Sequence, residues 1–114
     1  MLVEDDLDIS ETIQTIFEEE NYKLKSVFNG KEALDYLAST EQMPVLILLD
    51  VMMPLMNGYE FRIAQLQDPK IAKIPTILLS AAGNIKDLKK LNFNDFLKKP
   101  LELETLLAVV KKYF

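Results

Sequence analysis

The chain has 114 residues and a net charge of −5, so it suits one compact domain and disfavours nucleic acid as its main partner. It contains no cysteine and no histidine, which excludes disulfides, thiolate catalysis, serine–histidine triads and metal sites built on thiolate or imidazole. No apolar run approaches the roughly 20 residues of a membrane span, and no secretion signal opens the sequence. We therefore expect a cytoplasmic protein without membrane attachment, whose chemistry uses carboxylates, hydroxyls, lysines and backbone groups.

Short apolar runs alternate with segments of helical period, which predicts an α/β fold with a doubly wound parallel sheet. Runs that are apolar on both faces fit the strands of such a sheet, because helices cover both of its sides. The predicted elements, in chain order, are strand Leu2–Val3, a helix from Ile9 to Phe17, edge strand Leu24–Val27, a helix after the Asn29–Gly30 turn, strand Val45–Leu49, helix Gly58–Gln67, strand Thr76–Leu79, helix Ile85–Leu91, strand Phe96–Leu97 and a final helix from Leu103 to Phe114.

Four of the predicted strands are followed directly by polar side chains. Glu4, Asp5 and Asp6 follow the first strand, and Asp50, Ser80 and Lys99 follow the third, fourth and fifth. The carboxyl ends of parallel strands lie along one edge of the sheet, where open α/β sheets bind ligands. Each residue taken singly fits an ordinary helix cap or surface ion pair, but four such strand ends together predict one assembled site.

The charges of this predicted site indicate its ligand. Clustered carboxylates repel one another and need cationic compensation, of which Lys99 supplies only one charge. A hard cation suits a site made only of oxygen ligands, and Mg²⁺ is typical because it binds carboxylates and shares phosphate oxygens. Asp50 could then attack phosphorus as a nucleophile and form an acyl phosphate.

Four blocks of the sequence resemble the receiver domain of two-component response regulators. The blocks are Val3–Asp6, Leu48–Gly58, Ile74–Pro75 with Leu79–Ala81, and Phe96–Pro100. The resemblance covers nearly the whole chain and implies a single receiver domain over residues 1–114. It also implies a flavodoxin-like fold, with a five-stranded parallel sheet in the order 2-1-3-4-5 flanked by five helices.

The same resemblance assigns roles at the metal and phosphoryl site. It makes Asp50 the phosphoacceptor and also a ligand of the Mg²⁺ cofactor. Asp5 would hold Mg²⁺ directly and Glu4 through water, and the backbone carbonyl of Met52 would be a further ligand.

The resemblance also implies a conformational switch. Ser80 would hold the phosphoryl group and Lys99 would pair with it. As Ser80 moves, Phe96 would turn inward, which changes the face made by the fourth helix, fifth strand and fifth helix. A cis peptide bond between Lys99 and Pro100 is implied as well.

The implied function is a phosphoacceptor switch in a two-component phosphorelay, with no enzyme activity beyond self-phosphorylation and autodephosphorylation. The donor would be a sensor histidine kinase or a histidine phosphotransfer protein, and the downstream target a protein that the sequence does not identify. The chain would act without an output domain and without contacting nucleic acid directly. It would be a monomer or a phosphorylation-dependent dimer.

Alternative functions are weighed by what they require. A receiver excised from a hybrid histidine kinase or a longer regulator, and a protein-binding scaffold that is never phosphorylated, both remain open. An aspartyl phosphatase would need a second acid where Met52 stands. A flavodoxin-like cofactor binder would need a Ser/Thr/Gly-rich loop where Glu4–Asp6 stands.

Two features depart from the family pattern. The first strand is short, because only three residues precede Glu4, and the stretch from Ser80 to Lys99 is a few residues shorter than usual. Asn92–Phe93–Asn94 stands where small residues commonly precede the fifth strand. Since Asn tolerates the left-handed conformation, we expect the chain to turn there nevertheless.

Overall fold

The computed structural model describes residues 1–80 and 92–114 of the chain. Five strands form one sheet, and every neighbouring pair of strands is parallel. The strands are β1 (Leu2–Val3), β2 (Ser26–Val27), β3 (Ile47–Asp50), β4 (Thr76–Ser80) and β5 (Asp95–Lys98), arranged in the order β2-β1-β3-β4-β5. This arrangement confirms the predicted doubly wound parallel sheet and its strand order.

Four helices are described. They are α1 (Leu7–Glu19), α2 (Gly30–Ser39), α3 (Gly58–Gln67) and a C-terminal helix, α4 (Leu103–Lys111). The predicted helix Ile85–Leu91 lies outside the described residues. Within residues 1–80 and 92–114, no helix is long and apolar enough to cross a membrane.

The sheet separates two apolar clusters, because successive side chains of a strand point to opposite faces. On one face, Ile47 and Leu49 of β3 pack with Ala33 and Phe61 from α2 and α3. On the other face, Leu48 packs with side chains of α1 and α4. Strands that are buried on both faces explain why the sequence of β3 is a continuous apolar run.

Local capping fixes where the helices begin. The Asp6 carboxylate accepts hydrogen bonds from the backbone N–H groups of Asp8 and Ile9, which places the start of α1 directly after β1. Asn57 and Glu60 form a reciprocal capping box at the start of α3. These caps set short connections after β1 and β3 at the carboxyl edge of the sheet.

Several sequence predictions are wrong in extent. The edge strand covers Ser26–Val27 rather than Leu24–Val27, and the third strand covers Ile47–Asp50 rather than Val45–Leu49. Helix α4 ends at Lys111 rather than at Phe114. Leu103 and Phe114 are 47% and 58% exposed, so only the middle of the predicted apolar stripe is buried. By contrast, the Lys99–Pro100 bond is cis, as the family resemblance implies, and Asn92 has φ 50°, which is the left-handed conformation expected for this turn.

Helix α3 buries polar rather than apolar side chains next to the start of β4. Arg62 and Gln65 are buried, whereas the adjacent Ile63 is half exposed. The Arg62 guanidinium donates to Gln65 Oε1 at 2.8 Å and to Thr76 Oγ1 at 3.0 Å. It also donates to the backbone carbonyl of Asn92, and so α3 is tied to the chain that enters β5.

Gly58 lets α3 approach the end of β3. A Cβ atom at this position would lie 2.4 Å from the carbonyl oxygen of Asp50 and 2.7 Å from Cα of Val51. Both neighbours are backbone atoms, which have no rotamer that avoids the clash. The absence of a side chain at Gly58 therefore determines where the Asp50 backbone sits.

We predict that Gly58→Ala destabilises the protein by about 1–3 kcal/mol, because the added methyl group forces α3 and β3 apart. Urea unfolding followed by circular dichroism measures this loss. Gln67→Ala, at an exposed position of the same helix, is the matched control and should change the free energy of unfolding by less than about 0.5 kcal/mol. Equal stability of Gly58→Ala and the wild type would show that α3 can shift freely.

Candidate functional site

The polar residues predicted at the strand ends meet at the carboxyl edge of the sheet. Glu4 follows β1 and hydrogen bonds through its backbone N–H to Val27 at 3.0 Å. Asp50 ends β3 and Ser80 ends β4, while the backbone N–H of Lys99 donates to the Ser80 carbonyl at 2.8 Å. The parallel ladder therefore brings together groups that are up to 95 positions apart in the sequence.

One ammonium group links two of these carboxylates. Lys99 Nζ lies 2.9 and 3.1 Å from the two carboxylate oxygens of Glu4 and 3.3 Å from Oδ2 of Asp50. Glu4 is fully buried and Asp50 is 3% exposed, so solvent screens these contacts little. A carboxylate buried in this way needs such a partner, because an unpaired buried charge is strongly destabilising.

A third carboxylate leaves the site with excess negative charge. Glu4, Asp5 and Asp50 each present an oxygen within 4.8 Å of the others, and Asp5 is exposed at the mouth of the site. Three carboxylates and one ammonium sum to −2 when all are ionised. A hard divalent cation fits this set, because the ligands are all oxygens and the uncompensated charge matches its own.

Comparisons with known proteins show the family of this chain. The family model of the response regulator receiver domain matches residues 1–111. The chain belongs to the response regulator receiver domain family.

Individual members show how varied the relatives of this receiver domain are. The transcriptional regulatory protein CrdR of Helicobacter pylori is 35% identical over 99% of the chain and 53% of its own length. The signal receiver domain of a histidine kinase from Syntrophus aciditrophicus is 34% identical, has a TM-score of 0.89 and is matched over 98% of this chain and 86% of its own. A structure described as a putative response regulator from Chloroflexus aurantiacus is 27% identical with a TM-score of 0.88, over 98% and 93% of the two chains.

The receiver domain spans about half the length of the curated relatives it matches. The relatives include a transcriptional regulatory protein and a histidine kinase, and the receiver domain is the part for which the family model matches this chain.

The electrostatics of the receiver site favour protonation when no cation is bound. Burial raises the pKa of Glu4 to about 7, and the neighbouring Asp50 adds to this rise while Lys99 opposes it. Burial also raises the pKa of Asp50, as does its contact with Asp5. Burial alone would lower the pKa of Lys99, but its contacts with Glu4 and Asp50 give a net upward shift.

The remaining predicted site residues lie at or near this edge. The backbone N–H of Met52 donates to Oδ1 of Asp50 at 3.3 Å, while most of the Met52 side chain is exposed. Ser80 is buried at the end of β4, one position beyond Leu79, which pairs with Asp50. Phe96 on β5 is half-buried, packs against the cluster beneath α2 and α3, and lies 6.3 Å from the Phe93 ring.

Two residues at this edge have roles that the sequence analysis did not assign. Asp6 belongs to the acidic run, yet its carboxylate caps α1 and is not part of the three-carboxylate cluster. The spacing from Asp6 to the apolar positions of α1 is the signal that could have revealed the cap. The close approach of Gly58 to the Asp50 backbone depends on how α3 packs against β3, which no local sequence pattern indicates.

We predict that Glu4 contributes more to the stability of the metal-free protein as the pH falls from 7.5 to about 4.5. Burial lowers the pKa of the Met1 amino group to about 5, which acts in the opposite direction, so the contribution of Glu4 is measured as a difference from Glu4→Gln. Glu4 has a higher pKa in the folded state than its ordinary value of 4.5, so folding takes up a proton across this window. The contribution of Glu4 is fully present below its unfolded pKa and is lost as the pH rises through its folded pKa near 7, a difference of about 3 kcal/mol.

Chemical denaturation in a chelator at several pH values measures this dependence. Glu4→Gln lacks the titrating carboxyl, so the free energy of unfolding of the wild type should rise relative to that of Glu4→Gln as the pH falls from 7.5 to about 4.5. A difference between the two proteins that does not depend on pH, or that changes in the opposite direction, would contradict the assignment of Glu4 as a carboxyl with a raised pKa.

Proposed function

We propose that this chain is a phosphorylation switch, a single receiver domain over residues 1–114 that accepts a phosphoryl group on Asp50. The observation that carries the proposal is the position of the Asp50 carboxylate, which lies 3.3 Å from the Lys99 ammonium and beside two further carboxylates. An isolated buried aspartate would need only one cationic partner. The additional acids leave an excess negative charge that favours a divalent cation, and a cation held there can also face the oxygens of a phosphoryl group.

The proposed reaction is a transfer between two nucleophiles. An oxygen of Asp50 attacks phosphorus, the bond from phosphorus to the donor nitrogen or oxygen breaks, and the electron pair leaves with the donor. The products are an aspartyl phosphate and the free donor, with no oxidation or reduction. Lys99 can then face the phosphoryl oxygens, since its ammonium already lies against Asp50.

Mg²⁺ is the proposed cofactor. Asp5, Asp50 and, through water, Glu4 would hold the ion, together with the backbone carbonyl of Met52. When bound, the ion offsets negative charge on the transferring phosphoryl group. The exposed position of Asp5 supports this assignment, because the carboxylate can exchange water for metal without disrupting the buried Glu4–Lys99 pair.

The proposed readout follows from what lies beside the site. Ser80 would engage the phosphoryl group, and Phe96, half-buried on the next strand, would respond by turning inward. The surface of β5 and α4, with the segment between β4 and β5, would then change its affinity for a target protein. Dimerisation through this surface is one form that the response could take.

The proposed donor is a sensor histidine kinase or a histidine phosphotransfer protein, acting in the cytoplasm. In this role the chain is a substrate and a switch, and it is not an enzyme with turnover on an external compound. A receiver within a hybrid kinase or a longer regulator has a specific observation in its favour, since relatives of both kinds match this chain. That context would alter the partner and leave the chemistry of Asp50 unchanged.

Incubation with acetyl phosphate, followed by intact mass measurement, tests the proposal. We expect one phosphoryl adduct on the wild type in Mg²⁺, none in a chelator and none on Asp50→Asn. Asp35→Asn is the matched control, because it removes an exposed aspartate of α2 and should leave the adduct unchanged. A folded wild-type protein that takes up no phosphoryl group would leave the scaffold function as the better account.

A further inference from the structure

Large apolar side chains are exposed around the mouth of the site. Leu7 follows β1 and is 58% exposed, Phe28 follows β2 and is 41% exposed, and Met52 and Leu55 follow β3 and are 72% and 84% exposed. Because β2, β1 and β3 are neighbours in the sheet, the loops after them lie side by side at its carboxyl edge. Single exposed apolar residues are common, whereas a group of them beside one site is typical of an interaction surface. We refer to these four side chains as the apolar rim.

The backbone at Leu55 is strained. Leu55 has φ 64°, and the N–H of Met56 donates to the carbonyl of Pro54 at 2.8 Å. A hydrogen bond between the first and third residues, with a positive φ at the residue between them, defines the rare and strained form of the γ-turn. Leucine is unfavourable in this left-handed region because its Cβ atom comes too close to the following carbonyl oxygen, a clash that glycine avoids. The turn would therefore form more easily with glycine.

Contacts within the protein do not explain the leucine at this position. In the described part of the chain, Leu55 is the most exposed of the large apolar side chains, so burial offsets little of the strain. Backbone hydrogen bonds hold the loop, from Gly58 N–H to the Val51 carbonyl at 2.9 Å and from Gly30 N–H to the Met56 carbonyl at 3.0 Å. Glycine at position 55 would allow the same bonds. The leucine side chain is therefore available for a contact outside this chain.

The position of the rim indicates what it contacts. Asp50 can attack phosphorus only if the donor comes within bonding distance of its carboxylate, which lies at the carboxyl edge of the sheet. A protein that delivers the phosphoryl group must therefore cover this edge and the rim beside it. The negative charge of the exposed Asp5, Asp6 and Asp8 disfavours nucleic acid and a second copy of the same edge, and it favours a partner with basic side chains.

We propose that the apolar rim is the docking surface for the protein that donates the phosphoryl group, and that the strained turn presents Leu55 to this partner. The partner surface is apolar around its phosphohistidine and basic at its margin. This inference rests on the proposed function, and it names the surface through which the donor is recognised.

The test compares phosphoryl transfer from a protein donor with uptake from acetyl phosphate, which has no protein surface to contact the rim. The protein donor is the one that phosphorylates the wild type fastest among the purified, phosphorylated histidine kinases and histidine phosphotransfer proteins of the genome that encodes this chain. Leu55→Ala keeps the strained Cβ atom but removes the apolar end of the side chain. We expect it to lower the rate of transfer from subsaturating protein donor about 10-fold, and to change uptake from acetyl phosphate less than about twofold.

Three further variants separate docking from other effects. Leu55→Met retains a flexible apolar side chain, so transfer from the protein donor should stay within about twofold of the wild type. Val45→Ala is the matched control, because Val45 is exposed and precedes β3 at the opposite edge of the sheet, and it should also stay within about twofold. Phe28→Ala removes a second member of the rim and should lower transfer from the protein donor at least about threefold, with uptake from acetyl phosphate unchanged. Unchanged transfer from the protein donor to Leu55→Ala would overturn the docking inference.

Leu55→Gly separates backbone strain from recognition. It should raise the melting temperature by about 2–5 °C, because glycine relieves the strain of the turn. It should also lower transfer from the protein donor about as much as Leu55→Ala does. A melting temperature that is unchanged or lower would contradict the strained turn as the reason for placing Leu55 here.

The outcomes also distinguish this inference from the proposed function. If no protein donor phosphorylates the wild type while acetyl phosphate does, the docking inference is overturned and Asp50 stands as the phosphoacceptor. A folded wild type that takes up a phosphoryl group from neither source would contradict the proposed function, and the docking inference with it.

Discussion

The ion cluster at the carboxyl edge of the sheet is the constraint on which the rest of the site depends. Lys99 contacts both Glu4 and Asp50, which come from the ends of two adjacent strands, and thus joins β5 to the centre of the sheet. The pairing stabilises two buried carboxylates but leaves Asp5 and an excess negative charge at the mouth. The ion pairs allow the buried carboxylates to be accommodated in the folded protein, and the excess negative charge favours binding of a cation. Because this charge changes with pH and with cation binding, both should change the free energy of unfolding.

Much of the fold could be predicted because the physical causes are local. Parallel strands covered on both faces need continuous apolar runs, and Ile47–Leu49 and Ile77–Leu79 show them clearly. Topology then places every strand's carboxyl end at one edge, so the residues after those runs could be expected to meet. The identities of Asp50 and Lys99 follow from this reasoning and from the receiver resemblance. Their distances do not, since they depend on the twist and register of the finished sheet.

The remaining features depend on tertiary contacts that no local pattern carries. The face of a helix that packs against the sheet is expected to be apolar, but α3 buries Arg62 and Gln65 there. This burial is favourable only because Thr76 and the Asn92 carbonyl lie within hydrogen-bonding distance. The exposure of Leu103 likewise depends on where α4 meets the sheet. Side chains distant in sequence, on α3 and after α4, contact the residues just before the apolar pair Phe96–Leu97 of β5.

The most direct test of the central claim is thermal unfolding at pH 7.5 with and without saturating Mg²⁺, in the wild type and in Asp5→Asn. The account predicts that Mg²⁺ raises the melting temperature of the wild type, because it offsets the excess charge of the three carboxylates. Asp5→Asn should be more stable than the wild type in a chelator, since one repulsive charge is gone, and Mg²⁺ should stabilise it much less. A wild type that does not respond to Mg²⁺, or an Asp5→Asn variant that responds equally, would contradict the claim that this cluster is a cation-dependent phosphoryl site.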